Sequence, residues 1–162
     1  MAFDVYLKID GIDGEVTAKD VEKQIELLSY SFGASNPATI GPGTEGGAAG
    51  RVSISSFNVM KQTDSTSTAL FLKCAEGKHF KDATVTLRKA TGDGGQKPFM
   101  IYKFTTVYVD SIQWSGSTGS DQPMESLSFS FAKVEIEYYK QDEKGNLKKQ
   151  SNATFDVTKI SK

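Results

Sequence analysis

Histidine and cysteine, which often carry nucleophilic, acid–base or zinc chemistry, each occur once in the 162 residues. His79 stands between Lys78 and Phe80, and Cys74 lies five residues earlier. A catalytic triad or a tetrahedral zinc site needs further partners of these types, so this pair completes neither. We therefore interpret His79 as a residue of a turn or a strand start, and we expect neither a catalytic site nor a metal site.

A glycine-rich run contains the spelling G-x-G-x-x-G of dinucleotide-binding loops. Its residues are Gly41, Pro42, Gly43, Thr44, Glu45, Gly46, Gly47, Ala48, Ala49 and Gly50. That chemistry needs a helix directly after the glycines, because the helix N-terminus binds the pyrophosphate. Here more glycine and alanine follow, and then a predicted strand. The run therefore indicates a flexible loop, and we expect no cofactor.

Two other patterns lack the spacing that their chemistry requires. Asp10, Asp13 and Glu15 do not form the calcium loop D-x-D-x-D-G with a glutamate at its twelfth position. Ser117 does not lie in a G-x-S-x-G turn. No pair of carboxylates stands out, so we predict that the chain is not an enzyme.

The charge balance and the apolar segments of the sequence limit the classes of partner and the cellular location that we expect. Nineteen Lys and Arg against 20 Asp and Glu leave a net charge of -1, too weak a field to gather nucleic acid or anionic lipid. The first residues lack a basic region followed by an apolar one, so no classical signal peptide is predicted. No apolar run approaches the ~20 residues that span a bilayer. We expect cytoplasmic synthesis and assembly without membrane insertion, and any export by a route without a signal peptide.

Alternation of apolar and polar residues predicts a mainly β chain. In the segment 52–60 the apolar face changes sides, which favours a bulge near Ser55 and Ser56. A similar change between Phe131 and Val134 favours another bulge in a long strand. The segment 99–109 is apolar on both sides and predicts a strand covered on both faces. The predicted strands lie at 3–10, 52–60, 83–88, 99–109, 127–138 and 153–157.

One helix is predicted within residues 64–75, because Asp64 and Ser65 can cap its start and Gly77 is a natural stop. We expect Leu72 and Cys74 to pack on a sheet. The segment 17–24 stays open between helix and strand, since a capping-box spelling competes with strand-like alternation in the residues that follow it.

The length fits one domain spanning residues 1–162, because compact domains commonly hold about 100–150 residues. It contains a long glycine-rich loop at about 33–50. A structureless loop longer than about 12–15 residues is uncommon in a compact domain and is usually functional or disordered.

The chain resembles the haemolysin-coregulated protein (Hcp) family along nearly its whole length. The most specific stretch runs from Leu70 to Leu87 and contains Cys74 and the run Gly-Lys-His-Phe at 77–80. Further matching segments lie at 2–9, 25–33, 50–52, 57–61 and 127–134.

This resemblance implies the tube protein of the bacterial type VI secretion system. The family's fold consists of two packed antiparallel sheets, or a flattened β-barrel, with one α-helix, as in phage tail-tube subunits. Six copies close a ring, and the rings stack into a hollow tube that delivers effectors and works with spike and sheath proteins. Export then proceeds without a signal peptide.

Within this frame, we expect the loop from Gly41 to Gly50 to reach a neighbouring ring, because glycine permits close backbone approach. Ser31 and Ser117 match positions where small polar side chains could line the lumen, although ordinary solvent-facing serines are an equally open interpretation. Two other functions stay open. One is a monomeric β-sandwich that binds a ligand with Tyr102, Tyr108 or Trp114. The other is a hydrolase that uses His79.

Overall fold

The computed structural model describes residues 2–39, 41, 48–92 and 94–159. Within these ranges the chain forms one ten-residue helix among twelve strands. The elements are β1 (Phe3–Ile9), β2 (Ile25–Leu27), β3 (Ser29–Ser31), β4 (Ala34–Ser35), β5 (Ala38–Thr39), β6 (Ala48–Ala49), β7 (Ser53–Ile54), β8 (Phe57–Gln62), α1 (Ser67–Glu76), β9 (His79–Ala90), β10 (Gln96–Ser115), β11 (Met124–Gln141) and β12 (Leu147–Asp156).

The main sheet is antiparallel and curls into a nearly closed, flattened barrel. Its strand order is β2-β1-β9-β10-β11-β8-β3, and β2 approaches β8 across the gap. The long strand β11 changes partner along its length, because β8 pairs with its first half and β12 with its second. The prediction of a mainly β, flattened barrel with one helix is confirmed.

The core fills the barrel with side chains from alternate strand positions. In β1 the predicted face is confirmed, since Val5, Leu7 and Ile9 are all buried. The centre of the core is aromatic, with the ring centroids of Phe57 and Phe104 5.0 Å apart in an edge-on arrangement. Edge-to-face pairs of this kind add about 0.5–1.5 kcal/mol beyond the area that they bury.

Three neighbouring strands change their buried face at the same level. Buried positions are spaced by three rather than two from Phe104 to Val107, from Phe80 to Ala83 and from Phe131 to Val134, although each set stays in register with the next strand. Thr106 lies at this level with a φ of 55°, which is unusual for a β-branched residue.

This common level explains two wrong predictions. The buried face does change between Phe131 and Val134, but the bulge predicted there is wrong, because β10 and β11 stay in register through these residues. A strand covered on both faces at 99–109 is wrong, because Tyr102, Phe104, Val107 and Val109 all face the same core on either side of Thr106. Tyr108, on the opposite face, is 40% exposed.

The bulge predicted near Ser55 and Ser56 is also wrong. The chain leaves one sheet there and enters another, since β7 pairs with β4 while β8 pairs with β3 and β11. A shift of the apolar face in sequence does not distinguish a bulge from a change of sheet, because both invert the alternation.

The predicted helix is confirmed at Ser67–Glu76. Before the helix, the Asp64 backbone N–H donates to the Ser67 hydroxyl, and the Thr66 backbone N–H donates to the Asp64 carboxylate. Gly77 ends the helix with a φ of 66°. Its buried contact is Leu70 rather than Leu72, which is 53% exposed and therefore does not pack as expected. Cys74 packs against the core, as expected.

Residues 17–24 form turns and bends rather than helix or strand. Asp20 and Lys23 have positive φ angles, which breaks both regular patterns. The segment covers the outer side of β1 and β9, where Val21 is buried and the Lys19 carbonyl accepts a hydrogen bond from Arg88 at 3.2 Å. This cover explains why Arg88 is buried on a nominally outward position.

Candidate functional site

The clearest functional feature is a sheet surface without charges, which we call the uncharged face. It is the side of β3, β8, the end of β10 and the start of β11 that points away from the core. Its paired positions are Ser29, Ser31, Asn58, Met60, Gln62, Ser111, Gln113, Ser115, Met124, Ser126, Ser128 and Ser130. All four strand segments are described throughout, and none of these positions is Lys, Arg, Asp or Glu. The chain as a whole is 24% charged, so the composition of this face is unusual.

Hydrogen bonds across the strands hold the uncharged face in place. The Ser128 hydroxyl donates to the Asn58 amide oxygen at 2.6 Å, and the Asn58 amide nitrogen donates to the Ser56 carbonyl at 3.1 Å. At the border of the face, the bulged Asp110 carboxylate accepts hydrogen bonds from the hydroxyls of Ser56 and Ser130. The Asp110 carboxylate is therefore bonded to two hydroxyl groups, one of them on the face itself.

A buried ion pair lies beneath the uncharged face. The Lys61 ammonium is 2.9 Å from a Glu125 carboxylate oxygen, and both side chains have no exposed area. The Lys61 ammonium also reaches Asp64 at 2.9 Å and donates to the Ser67 hydroxyl at 3.2 Å, while the Trp114 indole N–H donates to Glu125 at 2.7 Å. This cluster connects β8, β10 and β11 to the start of α1.

The pKa of Asp64 reflects its place in the cluster. Partial burial acts to raise the pKa of this carboxyl, but hydrogen bonds from Thr66 and Lys61 outweigh burial and leave the pKa below its ordinary value. Asp64 is therefore held ionised just before α1, where its carboxylate accepts hydrogen bonds from the N-cap residue Thr66 and neutralises part of the Lys61 charge.

The two serines predicted for a lumen differ in their surroundings. Ser31 is an exposed position of the uncharged face, directly opposite Asn58. Ser117 lies in the exposed turn between β10 and β11, just past the end of the face, and its hydroxyl is 3.0 Å from that of Ser120. The structure does not bring the two together, because Ser31 is level with Asn58, Ser128 and Ser111, whereas Ser117 lies beyond Ser115 at the other end of the face. Two strands, β8 and β11, also separate β3 from β10.

Sequence reasoning missed the remaining positions of the uncharged face. Their signal was present as uncharged residues at alternate positions, Asn58, Met60 and Gln62 in one segment and Ser126, Ser128 and Ser130 in the other. The signal is visible only once the pairing of β8 with β11 shows that these residues share one side of the sheet.

The glycine-rich segment is more regular than its sequence indicates. β4 pairs with β7, and β5 pairs with β6, so the ends of the segment form a narrow antiparallel ribbon. Gly50 donates to the Pro37 carbonyl at 2.8 Å, and a Cβ atom at Gly50 would lie 2.4 Å from that oxygen, so only glycine fits. Of the predicted contact loop, Pro42, Gly43, Thr44, Glu45, Gly46 and Gly47 lie outside the described residues.

The candidate chemical residues do not form a site. His79 is exposed at the start of β9, with its ring 5.3 Å from that of Tyr108, and Cys74 is 3.8 Å from the Asp110 carbonyl. Tyr102 is buried in the core, so it does not converge with Tyr108 and Trp114 on a pocket. Among the described residues no group of three His, Cys, Asp or Glu could hold a metal.

The other half of the sheet carries ordered charges on its outer side, which we call the charged face. It comprises the outward positions of β9, β12 and the neighbouring parts of β10 and β11. Glu137 lies at its centre, almost fully buried, and accepts hydrogen bonds from Lys103, Lys149 and Tyr139 at 3.1, 3.2 and 2.9 Å. Burial acts to raise the pKa of Glu137, but these three hydrogen bonds outweigh it and lower the pKa to about 2.

Comparison with known proteins assigns the chain to bacterial secretion. A sequence model of the family described as "Type VI secretion system effector, Hcp" matches residues 6–138. Protein hcp1 of Pseudomonas aeruginosa is 33% identical over 145 residues, which cover 90% of this chain and 88% of that protein.

Solved structures agree with the sequence matches. A type six secretion system protein is 36% identical, with 99% of both chains covered and a TM-score of 0.92. Hcp1 from Salmonella typhimurium is 30% identical, again with 99% of both chains covered, and its TM-score is 0.77. Fold and sequence together define a type VI secretion protein. The chain belongs to the Hcp family.

Within the described residues, no helix is long and apolar enough to cross a membrane.

Proposed function

We propose that the chain is a structural subunit of the type VI secretion tube, in which six copies close a ring and rings stack into a hollow conduit. Its partners are then other copies of itself, the effector proteins inside the tube, and the spike and sheath proteins of the machine. The role is assembly and delivery rather than catalysis. Membership of the Hcp family is the starting point for this proposal.

The composition of the uncharged face supports this proposal on physical grounds. An exposed protein surface usually includes charged side chains, because they are the cheapest groups to keep in water. A wall of short hydroxyl and amide groups, such as Ser31 and Ser128, offers hydrogen bonds without a fixed charge. Such a lining would let cargo of either charge occupy the tube without binding so tightly that it stays there.

The narrow ribbon at the ends of the glycine-rich segment supports the stacking of rings. The pairing of β5 with β6 and the close contact of Gly50 with Pro37 hold the two ends of this segment side by side, as a loop that reaches a neighbour requires. We assign the loop from Gly41 to Gly50 to the contact between successive rings. Assembly then takes place in the cytoplasm, and the machine exports the tube without a signal peptide.

The decisive experiment measures the mass and shape of the purified chain. We expect light scattering to give about six times the 17.6 kDa of one chain, and negative-stain images to show annular particles. A 17.6 kDa species at every concentration would contradict the ring and would favour a monomeric ligand-binding domain.

Two variants test the parts of the proposal separately. Deletion of Gly43–Ala49 should leave rings intact but abolish their stacking, and unchanged tubes would refute the role of the loop. Ser31→Arg or Ser117→Arg should preserve rings and change the stability of bound effectors, because each places six cations in the lumen. Unchanged effectors in intact rings would contradict a lumenal position.

A further inference from the structure

The barrel is open at one place beside β3. The chain at 25–27 pairs with β1, with Val5 opposite Leu27 and Leu7 opposite Ile25. Continuation of this register would place Phe3 opposite Ser29, but the two strands separate there and β3 pairs only with β8 among the described strands. A cleft of 390 Å³ fills the gap.

The cleft presents apolar side chains to solvent. Phe3 and Leu28 line it and are 49% and 52% exposed, and Tyr30 lies at the side that leads to the aromatic core. Exposed apolar groups that line a concavity, rather than scattered singly, are typical of a surface that another protein covers.

The opposite edge of the uncharged face carries an apolar protrusion. β9 pairs with β10 only as far as Tyr108, and α1 lies beside the remaining length of β10. The rings of Phe71 and Trp114 are in contact, with centroids 5.6 Å apart, and these residues are 49% and 44% exposed. Leu72, next to Phe71 on the helix, is 53% exposed. We call these three residues the aromatic knob.

The knob and the cleft lie at the two ends of one strand row, β3-β8-β11-β10. If the uncharged face lines a closed channel, then β3 of one subunit must come next to β10 of the following one. That arrangement brings the knob of one copy to the cleft of the next. Because the two surfaces are different, their contact is head-to-tail, which is the kind of contact that generates rings.

We propose that each subunit inserts its aromatic knob into the cleft between β1 and β3 of its neighbour in the ring. This inference rests on the proposed ring, and it identifies the surfaces that hold the ring together. The occupant of the cleft is a second copy of this chain.

The knob has the properties of an interface anchor. Aromatic side chains that fill a partner's pocket dominate binding, and they contribute most when they are rigid before binding. Trp114 meets this condition, because its indole N–H is held by the buried Glu125 at 2.7 Å. The acidic residues Asp4 and Glu26 line the cleft as well and form its polar rim.

Two charge substitutions test the contact from both sides. Phe71→Asp alters the knob and Leu28→Asp the cleft, at positions about half exposed in the single subunit, so both should fold normally by circular dichroism. Each should weaken every subunit contact by about 30-fold or more, the effect of losing a central anchor, and dissociate the rings in light scattering. The matched control is Tyr138→Asp, since Tyr138 is 39% exposed but lies outside both surfaces.

A cross-linking experiment is independent of any loss of folding. In a Cys74→Ser background, Leu28→Cys combined with Phe71→Cys should give a ladder of covalent oligomers on mild oxidation, ending at the closed hexamer. Either cysteine alone, or Leu28→Cys combined with Tyr138→Cys, should remain largely uncross-linked.

The outcomes separate this inference from the proposed function. Rings that survive both aspartate variants, together with no ladder from the cysteine pair, would overturn the knob-and-cleft contact while leaving the tube subunit intact. A wild-type chain that is monomeric at every concentration would overturn the proposed ring itself. Dissociation by both variants, an unaffected Tyr138→Asp control and a six-step ladder would support the contact.

Discussion

The uncharged face and the charged face belong to the same sheet, and β10 and β11 run through both. Where β8 is the neighbour, the outward residues are Ser, Asn, Gln and Met, and the ion pair of Lys61 with Glu125 is buried beneath them. Where β12 is the neighbour, charges stand on the outside and surround Glu137. Of these two faces, one lacks charged residues and the other displays them, which indicates that the uncharged face has a separate task.

The largest effect is expected from the ion pair under the uncharged face. Glu125→Ala would remove the fully buried one of the two carboxylates that lie 2.9 Å from the Lys61 ammonium, and it would deprive the Trp114 indole of its acceptor. The free energy of unfolding should fall by about 3–5 kcal/mol, as when one member of a buried pair is removed. Urea unfolding measures this loss.

Glu135→Ala in the same strand is the matched control. Its carboxylate lies on the charged face and accepts a hydrogen bond from Asn152, so the loss should stay within about 1 kcal/mol. If Glu125→Ala and Glu135→Ala lowered the free energy of unfolding equally, the buried carboxylate would be no more important for stability than the carboxylate on the charged face.

The next effect concerns Glu137 and depends on pH. Its pKa is about 2 in the folded protein and 4.5 for an ordinary glutamate. As the pH falls, Glu137 is therefore protonated in the unfolded chain at a higher pH than in the folded protein. The stabilisation by Glu137 is therefore complete above about pH 4.5 and is lost as the pH falls toward 2.

Glu137→Gln should cost about 1–2 kcal/mol at pH 7, because half-exposed lysines share these bonds, and this cost should shrink between pH 4.5 and 2. Urea unfolding at a series of pH values measures it. Glu143→Gln, in an exposed turn, serves as the control. A cost for Glu137→Gln that does not change with pH would contradict the assignment.

A smaller effect is expected at Thr106, where the sheet changes its buried face. Thr106→Gly should raise the free energy of unfolding by up to about 1 kcal/mol, because glycine tolerates the φ of 55° while losing some chain entropy. Thr105→Gly, one residue earlier, should instead lower it by about 0.5–1 kcal/mol. Thermal unfolding of the two variants distinguishes relief of backbone strain at Thr106 from the general effect of introducing glycine into a strand.

The smallest effect on stability should come from adding charge to the two faces. Ser126→Lys on the uncharged face and Thr154→Lys on the charged face should each change the free energy of unfolding by no more than about 0.5 kcal/mol. In assembled rings, however, only Ser126→Lys should change which proteins are retained, as measured by mass spectrometry of purified rings. The same retained proteins in both variants would argue that the uncharged face does not line the channel.

Much of the fold follows from local patterns in the sequence. The alternation in β1 and the stop signal at Gly77 identified a strand and the helix, because burial and capping act over a few residues. The resemblance to Hcp supplied the barrel as a whole. Local patterns failed at Thr106 and at Ser55–Ser56, where the chain changes its buried side or its sheet, because that choice depends on strands distant in sequence.

The candidate surfaces were less accessible than the fold. Ser31 was identified, but its neighbours Asn58 and Ser128 come from other strands, and only pairing shows that they form one face. The cleft beside β3 was not predicted either, since it arises where Phe3 and Ser29 fail to pair. An absent pairing leaves no pattern in the sequence.

The simultaneous change of face in β9, β10 and β11 limits how the chain can vary. A residue inserted into only one of these strands near Thr106 would put its apolar side chains out of phase with both neighbours. Relatives of different length should therefore differ in their turns and in the ribbon, whereas the spacing from Phe80 to Ala83, from Phe104 to Val107 and from Phe131 to Val134 should vary only in concert.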